Sequence, residues 1–352
     1  MSSVRAIAKK LNVSIATVSR ALNNHPAINA ETSAKILKAA NEIGYYNSVG
    51  RRITTNLGFV STSDNDFFEY DALLLAGVRR GIAQHKFDVT ILSIERDKVE
   101  NESYTQFFLR KGVRGVIVRT LARSRHIPPA IAKEGFPMVV VADRFEDDPR
   151  VAYISHHSGD GSRRAVEHLI HLGHRRIALA IHLERDSDHH DRYEGYKQAL
   201  LDNKLDLDPA LVVPVCADIN GGISAMNQLM SLPNPPTAIY FTDPHTTVGA
   251  IRRAFAMGLN IPDDLSIVGF DDGDMRFRVH PVLTAVCQNT SSLGQEAGQY
   301  LAQKVAGIVD EPLRKVAQTF FEVNQTTGQP PKVRTRVLPD GTRMEVDASY
   351  GS

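Results

Sequence analysis

The residues best suited to chemistry cluster near the start of the chain. Val13-Ser14-Ile15-Ala16-Thr17-Val18-Ser19-Arg20 sets small and polar side chains ahead of an arginine. A serine at the head of a helix caps it, and a helix N-terminus suits a phosphate. Elsewhere the chemistry is sparser. Thirteen histidines include the neighbours His156-His157 and His189-His190, but adjacent loop histidines do not converge on a metal without a third ligand. Cys216 and Cys287 are far apart and follow no ligand spacing, so reduced thiols are expected. Asp160, Arg192 and Asp271 include no nucleophile–base pair at a motif spacing. No dinucleotide fingerprint or Walker loop occurs. The expectation is a protein with no catalytic residues, no metal and no cofactor, and so not an enzyme.

The elements that must present Ser14 to Arg20 are two short helices. Ile7, Ala8 and Leu11 recur at helical spacing, as do Val18 and Leu22. The pair reads as a helix-turn-helix, whose second helix lies in the DNA major groove. Asn29 or Thr32 starts a third helix that Gly44 ends, with Ile36, Leu37, Ala40 and Ile43 on its buried face. A two-helix surface module that touches nothing would show the same spacing. Charge separates the two readings. Residues 1–56 carry eight Lys and Arg against two Glu, and the rest of the 352-residue chain is net negative by five. A basic head on an acidic body is an electrostatic footprint for DNA confined to one module.

The body alternates strand and helix. Apolar runs begin at Leu57, Val89, Gly115 and Met138, and a second series from near Val151 has runs at Ile177, Leu211, Ala238 and Ser266. Continuous β-branched runs split by helices mean parallel sheets covered on both faces. Two series of this size mean two α/β lobes, with ligands expected at the carboxyl ends of the strands. Leu283–Val286, a helix from Leu293 to Val305, and Val316–Val323 complete the body. Residues 330–352 are polar and are expected to be a loose end. No apolar run spans a bilayer and no leader precedes the first helix, so no membrane association and a cytoplasmic protein are expected.

The string Ala6-Ile7-Ala8, Val13-Ser14, Ala16-Thr17-Val18-Ser19-Arg20, Leu22-Asn23 and Gly44-Tyr45 resembles the head of the LacI/GalR family of bacterial transcription regulators. The resemblance implies that Ile15, Ala16 and Arg20 read bases, while Ser14, Thr17, Ser19, Asn23 and Tyr45 sit at phosphates or sugars. Arg20 can pair bidentately with a guanine edge, and Ile15 can make only apolar contacts. The join departs from the family pattern. The usual proline is missing, Gly50 stands where alanine is usual, and several residues before Leu57 are absent. Ile53 takes the place of the family's minor-groove leucine, and Arg51 serves phosphates or a narrow groove.

In the body the resemblance implies a two-lobed, periplasmic-binding-protein-like core whose late segments cross between lobes. The chain then divides into a helix-turn-helix domain at 1–46, a shortened hinge at 47–56, an effector-binding and dimerisation core at 57–329 and the tail at 330–352. Phe67 and Phe68 match the family's first-strand loop, where one of them would stack on a ligand. Asp160 accepts hydroxyls or caps its helix. Arg192 matches the arginine of an Arg-x-x-Gly-Tyr motif that lines the cleft, and Asp271 the first aspartate of Gly-Phe-Asp-Asp. Thr242 replaces an asparagine, which points away from an ordinary neutral sugar. The expected function is a sequence-specific transcriptional regulator, with repression the commoner outcome in the family. Its expected partners are a pseudo-palindromic double-stranded operator, a carbohydrate-like effector and a second copy of itself. The rivals are a solute-binding protein of transport, which would lack the basic head, and a family regulator without effector control.

Overall fold

The computed structural model describes residues 4–22, 25, 27–29, 31–33, 35, 36, 39, 54–61, 69–183 and 186–347. The head begins with α1 (Val4–Leu11) and α2 (Ile15–Leu22). Asn12 turns the chain between them at φ 53°, a conformation asparagine tolerates. The Ser14 hydroxyl accepts from the Thr17 amide at 2.9 Å, giving one of the unpaired donors of α2 a partner. Ile7, Val18, Ala21 and Ile36 are fully buried together, with Leu11 and Leu22 packed against them. Asn29, rather than Thr32, accepts from the backbone of the next helical stretch, at the Thr32 amide, 2.8 Å away. Leu37 and Ile43 of the expected core lie outside the described residues.

The body follows as β1 (Asn56–Ser61), α3 (Glu69–Ile82), β2 (Asp88–Ser93), α4 (Ile94–Asp97), α5 (Tyr104–Arg110), β3 (Val113–Arg119), α6 (Ile127–Glu134), β4 (Met138–Val141) and β5 (Tyr153–His157). Next come α7 (Gly159–His171), β6 (Ile177–His182), α8 (Ser187–Asp202), β7 (Val212–Val215), α9 (Ile219–Met230), β8 (Ala238–Phe241), α10 (Pro244–Ala256), β9 (Ser266–Asp271) and β10 (Thr284–Cys287). The chain ends with α11 (Thr290–Val305), β11 (Arg314–Gln318), β12 (Phe320–Glu322), β13 (Val333–Val337) and β14 (Arg343–Asp347). Two six-stranded sheets result, ordered β11-β5-β4-β3-β1-β2 and β12-β10-β9-β8-β6-β7. All pairings in them are parallel except β10 with β12. Strands such as β4, β8 and β9 are buried along their whole length, as helices on both faces require.

The chain passes between lobes three times: from β5 to α7, from β10 to α11, and from β11 to β12. The lobe boundary therefore falls after His157 and not near Val151, because β5 pairs with β4 and β11. The expected single run Val316–Val323 splits at Thr319, one strand going to each sheet. Returning α11 packs on α3 at backbone distance. A Cβ on Gly77 would meet the Ser291 carbonyl oxygen at 2.0 Å, and one on Gly294 the Leu74 oxygen at 2.1 Å. Only glycine permits that approach.

The loose tail is corrected. Residues 333–347 form an antiparallel hairpin, Val333 opposite Asp347 and Val337 opposite Arg343. Val337 is buried in the second lobe's core and Arg336 donates to the Ser231 carbonyl at 2.9 Å. The alternation is short and mostly charged, so it resembles a polar tail until the lobe supplies a surface for Val337. Of the hinge at 47–56, only Thr54 to Asn56 are described, and Asn56 already belongs to β1.

Candidate functional sites: a recognition helix and an interlobe cleft

On α2, Val18 and Ala21 point inward at 0% exposure, while Ile15 is 51% exposed and Ala16, Ser19 and Arg20 share its open side. The positions expected to read bases are thus contiguous on one solvent-facing stripe. Ser14 and Thr17 bond to each other, hydroxyl to hydroxyl at 2.8 Å, at the N-terminus of α2. Asn23, Tyr45, Arg51 and Ile53 lie outside the described residues.

The second site is a cavity of about 410 Å³ between the lobes, within the usual range for small-molecule pockets. Most wall residues sit at or just past the carboxyl end of a strand: Arg119, His182 and Asp271 end β3, β6 and β9, and Ala142, Cys216, Asp243 and Gln288 follow β4, β7, β8 and β10. Tyr70 and Leu73 enter from the start of α3, and Asp186, Asp188, His189 and Arg192 from the start of α8. Ala142 turns into the cleft at φ 63°, strain of a kind that gathers at functional sites.

Arg192 is 5% exposed. Its guanidinium carbon lies 3.5 Å from the Phe270 ring centroid, and Nη1 donates to the Thr242 carbonyl at 2.5 Å. Its Nε has no partner, and neither has Oε1 of Gln288, which is 4% exposed. His189 lies between two carboxylates, with Nδ1 2.8 Å from Asp186 and Nε2 3.2 Å from Asp243. Burial opposes its charge, but the two carboxylates prevail and raise its pKa to about 9. Asp188 is pushed upward by burial and then by Asp186, and Asp272 is pushed up to about 6, chiefly by burial.

Of the residues expected from sequence, Arg192 and Asp271 line the cleft. Asp271, however, is committed to its own loop. It accepts from the Gly273 and Met275 amides at 3.1 Å and from Arg276 Nη1 at 2.7 Å. The adjacent Asp272 holds only the Gln288 amide at 2.5 Å in the described hydrogen bonds. Two expectations are corrected. Asp160 lies exposed in the first turn of α7 and does not reach the cavity, because the turn after Ser158 points it outward; it does not cap the helix either. Thr242 is wholly buried and lines no part of the cavity. Its hydroxyl donates to Asp243 at 3.1 Å, and its carbonyl anchors Arg192. Phe67 and Phe68 lie outside the described residues. Sequence reasoning missed Tyr70, Asp188, His189, Asp243, Asp272 and Gln288. The one or two residues past each parallel strand were a signal that would have found Asp243 and Gln288.

A recognition helix joined to a two-lobed, cleft-bearing α/β body defines a DNA-binding regulator by class. Residues 3–48 match the family described as bacterial regulatory proteins, lacI family, and residues 166–322 match a periplasmic binding protein-like domain. The protein named "Probable HTH-type transcriptional repressor ExuR" of Bacillus subtilis is 31% identical over 325 residues, 90% of this chain and 94% of the relative. The "HTH-type transcriptional repressor CytR" of Escherichia coli is 28% identical over 87% of this chain and 90% of its own length. The structure of a "transcriptional regulator CelR-cellobiose complex" aligns with TM-score 0.70 at 26% identity, covering 92% of this chain and 99% of that one. This chain belongs to the lacI family of bacterial regulatory proteins and is a transcriptional regulator; the names of these relatives are those of regulators, not enzymes. No helix among the described residues is long and apolar enough to cross a membrane.

Proposed function

We propose that this protein is a cytoplasmic homodimeric repressor that binds a pseudo-palindromic operator and is controlled by a carbohydrate-like effector in the interlobe cleft. The observation that carries the reading is the cavity, walled by both lobes and lined by Arg192 and Gln288, each of which keeps a buried polar atom without a partner. A ligand that bonds to both walls binds one lobe angle better than another, and it shifts that equilibrium by its differential affinity. A two-fold protein reads a two-fold site, so a change of lobe angle alters the separation of the two α2 helices. The coupling is reciprocal: the effector changes operator affinity by the same factor as the operator changes effector affinity.

The test has two stages. Footprinting of the protein on genomic DNA defines its sites. Arg20→Ala should then lose about 1–3 kcal/mol of discrimination per half-site while keeping weak, salt-sensitive binding. A variant that still discriminates its operator overturns the role of α2. In the second stage a panel of sugars is titrated against the operator complex, and a panel-wide failure to change operator affinity overturns effector control.

A further inference from the structure

The second-lobe wall of the cleft carries more negative charge than its own cations balance. Asp186, Asp188, Asp243 and Asp272 stand there against His189 and Arg192. His189 is shared by Asp186 and Asp243, at 2.8 and 3.2 Å. Arg192 spends one donor on the Thr242 carbonyl and packs its face on Phe270. Asp188 is left with the Ser155 hydroxyl at 3.2 Å, and Asp272 with the Gln288 amide at 2.5 Å. Neither bond is to a cation; the guanidinium that both carboxyls feel is that of Arg192, which Asp243 shares, while Arg144, itself bound to Asp191, also faces Asp188, and the opposite wall brings Arg119 and Arg123. The unpaired Gln288 Oε1, in a side chain 4% exposed, adds a further acceptor at the same wall. Burial accordingly favours the neutral form of both carboxyls, Asp188 most strongly. The wall therefore holds more carboxyls than the shared guanidinium and imidazole balance, and it opens to a cavity large enough for a small sugar.

We infer that the effector carries a basic nitrogen as well as hydroxyls, as an amino sugar does, and that its ammonium group lies against Asp188 and Asp272. This inference rests on the cleft being the effector site. An ammonium has three donors and no acceptor, which matches two carboxylates and an amide oxygen. Its arrival lets Asp188 ionise, so binding releases a proton.

The experiment is calorimetry at pH 6.5 with D-glucosamine, D-galactosamine and D-mannosamine, each beside its neutral hexose, its N-acetyl derivative and the matching uronic acid. The expected result is a free amine that binds at least about tenfold tighter than the other three forms, the difference a single charge-assisted contact makes. About one proton is released, read from the dependence of the heat on buffer. Asp188→Asn, close in size and already neutral, should fold and should bind amine and neutral sugar equally. A uronic acid or neutral hexose that binds as tightly as the amine overturns the inference and leaves the effector reading standing. If no member of the panel binds, both fall. If the amine preference survives in both Asp188→Asn and Asp272→Asn, the placement of the ammonium is wrong and the proposal falls.

Discussion

Arg192 and Thr242 divide the work that sequence similarity would give to each separately. The arginine faces the cleft, and the threonine holds it through a backbone carbonyl that any residue supplies. Thr242→Val should therefore change effector affinity less than about threefold. It removes one buried hydroxyl donor to Asp243, so it should lower stability by about 1–2 kcal/mol in urea unfolding. Arg192→Lys should do the reverse. It keeps the charge but loses the planar stack on Phe270, and effector affinity should fall about tenfold or more by titration. A second residue-scale outcome concerns His174. It is enclosed by Thr237, Ser266 and the Gly328 carbonyl at 2.8 to 3.1 Å, and burial lowers its pKa from 6.5 to about 4. The fold favours its neutral form. Its contribution is present above the unfolded value near 6.5 and is lost as pH falls toward about 4. His156, also lowered by burial to about 4, adds to the same limb. Melting temperature should fall across that window, and His174→Asn should make the acid limb shallower while lowering the neutral plateau.

Among the elements, α2 was legible in detail and the cleft only in outline. A helix exposes its pattern locally: Val18 and Ala21 inward fix Ile15, Ala16, Ser19 and Arg20 outward, with no help from the rest of the chain. The packing of α3 on α11 is the opposite case. Gly77 and Gly294 are more than 200 positions apart, and nothing local says that their backbones touch. Gly294→Ala drives a methyl into the Leu74 carbonyl, so it should destabilise the body by roughly 1–3 kcal/mol, measured by chemical denaturation. The head's α1 and α2 should melt unchanged, since no part of their core is shared. The hairpin at 333–347 was missed for a related reason. Among their described side chains its strands bury one, Val337, so its order comes from the lobe beneath it.

At the scale of the whole molecule, ion pairs tie the lobes together beside the three crossings. Arg144 of the first lobe makes a bidentate pair with Asp191 of α8, both bonds 2.7 Å, with the two side chains 13% and 10% exposed. Glu69 at the start of α3 meets Arg278 of the second lobe at 3.2 Å. Breaking a partly buried bidentate pair leaves a charge uncompensated, and the lobes can part to hydrate it. Arg144→Gln should therefore populate a more open body without ligand, seen as a larger radius of gyration in solution scattering that contracts on effector binding. An unchanged radius would show that the pair does not set the lobe angle.

Sequence alone determined what is local or periodic. The helix-turn-helix, its outward stripe, the basic head and the strand–helix alternation all follow from side-chain spacing within a single element, where backbone geometry is the same in any protein. Tertiary structure decided which residues meet. Asp160 and Thr242 were reasonable ligands by position along the chain; one points outward and the other lies behind the wall. Asp188, His189 and Asp272 became the site because α8 and the loop after β9 converge from opposite ends of one lobe's sequence. Convergence of distant segments depends on how helices pack on a twisted sheet, and so do burial and the charge imbalance it creates. No spacing within one element encodes that packing.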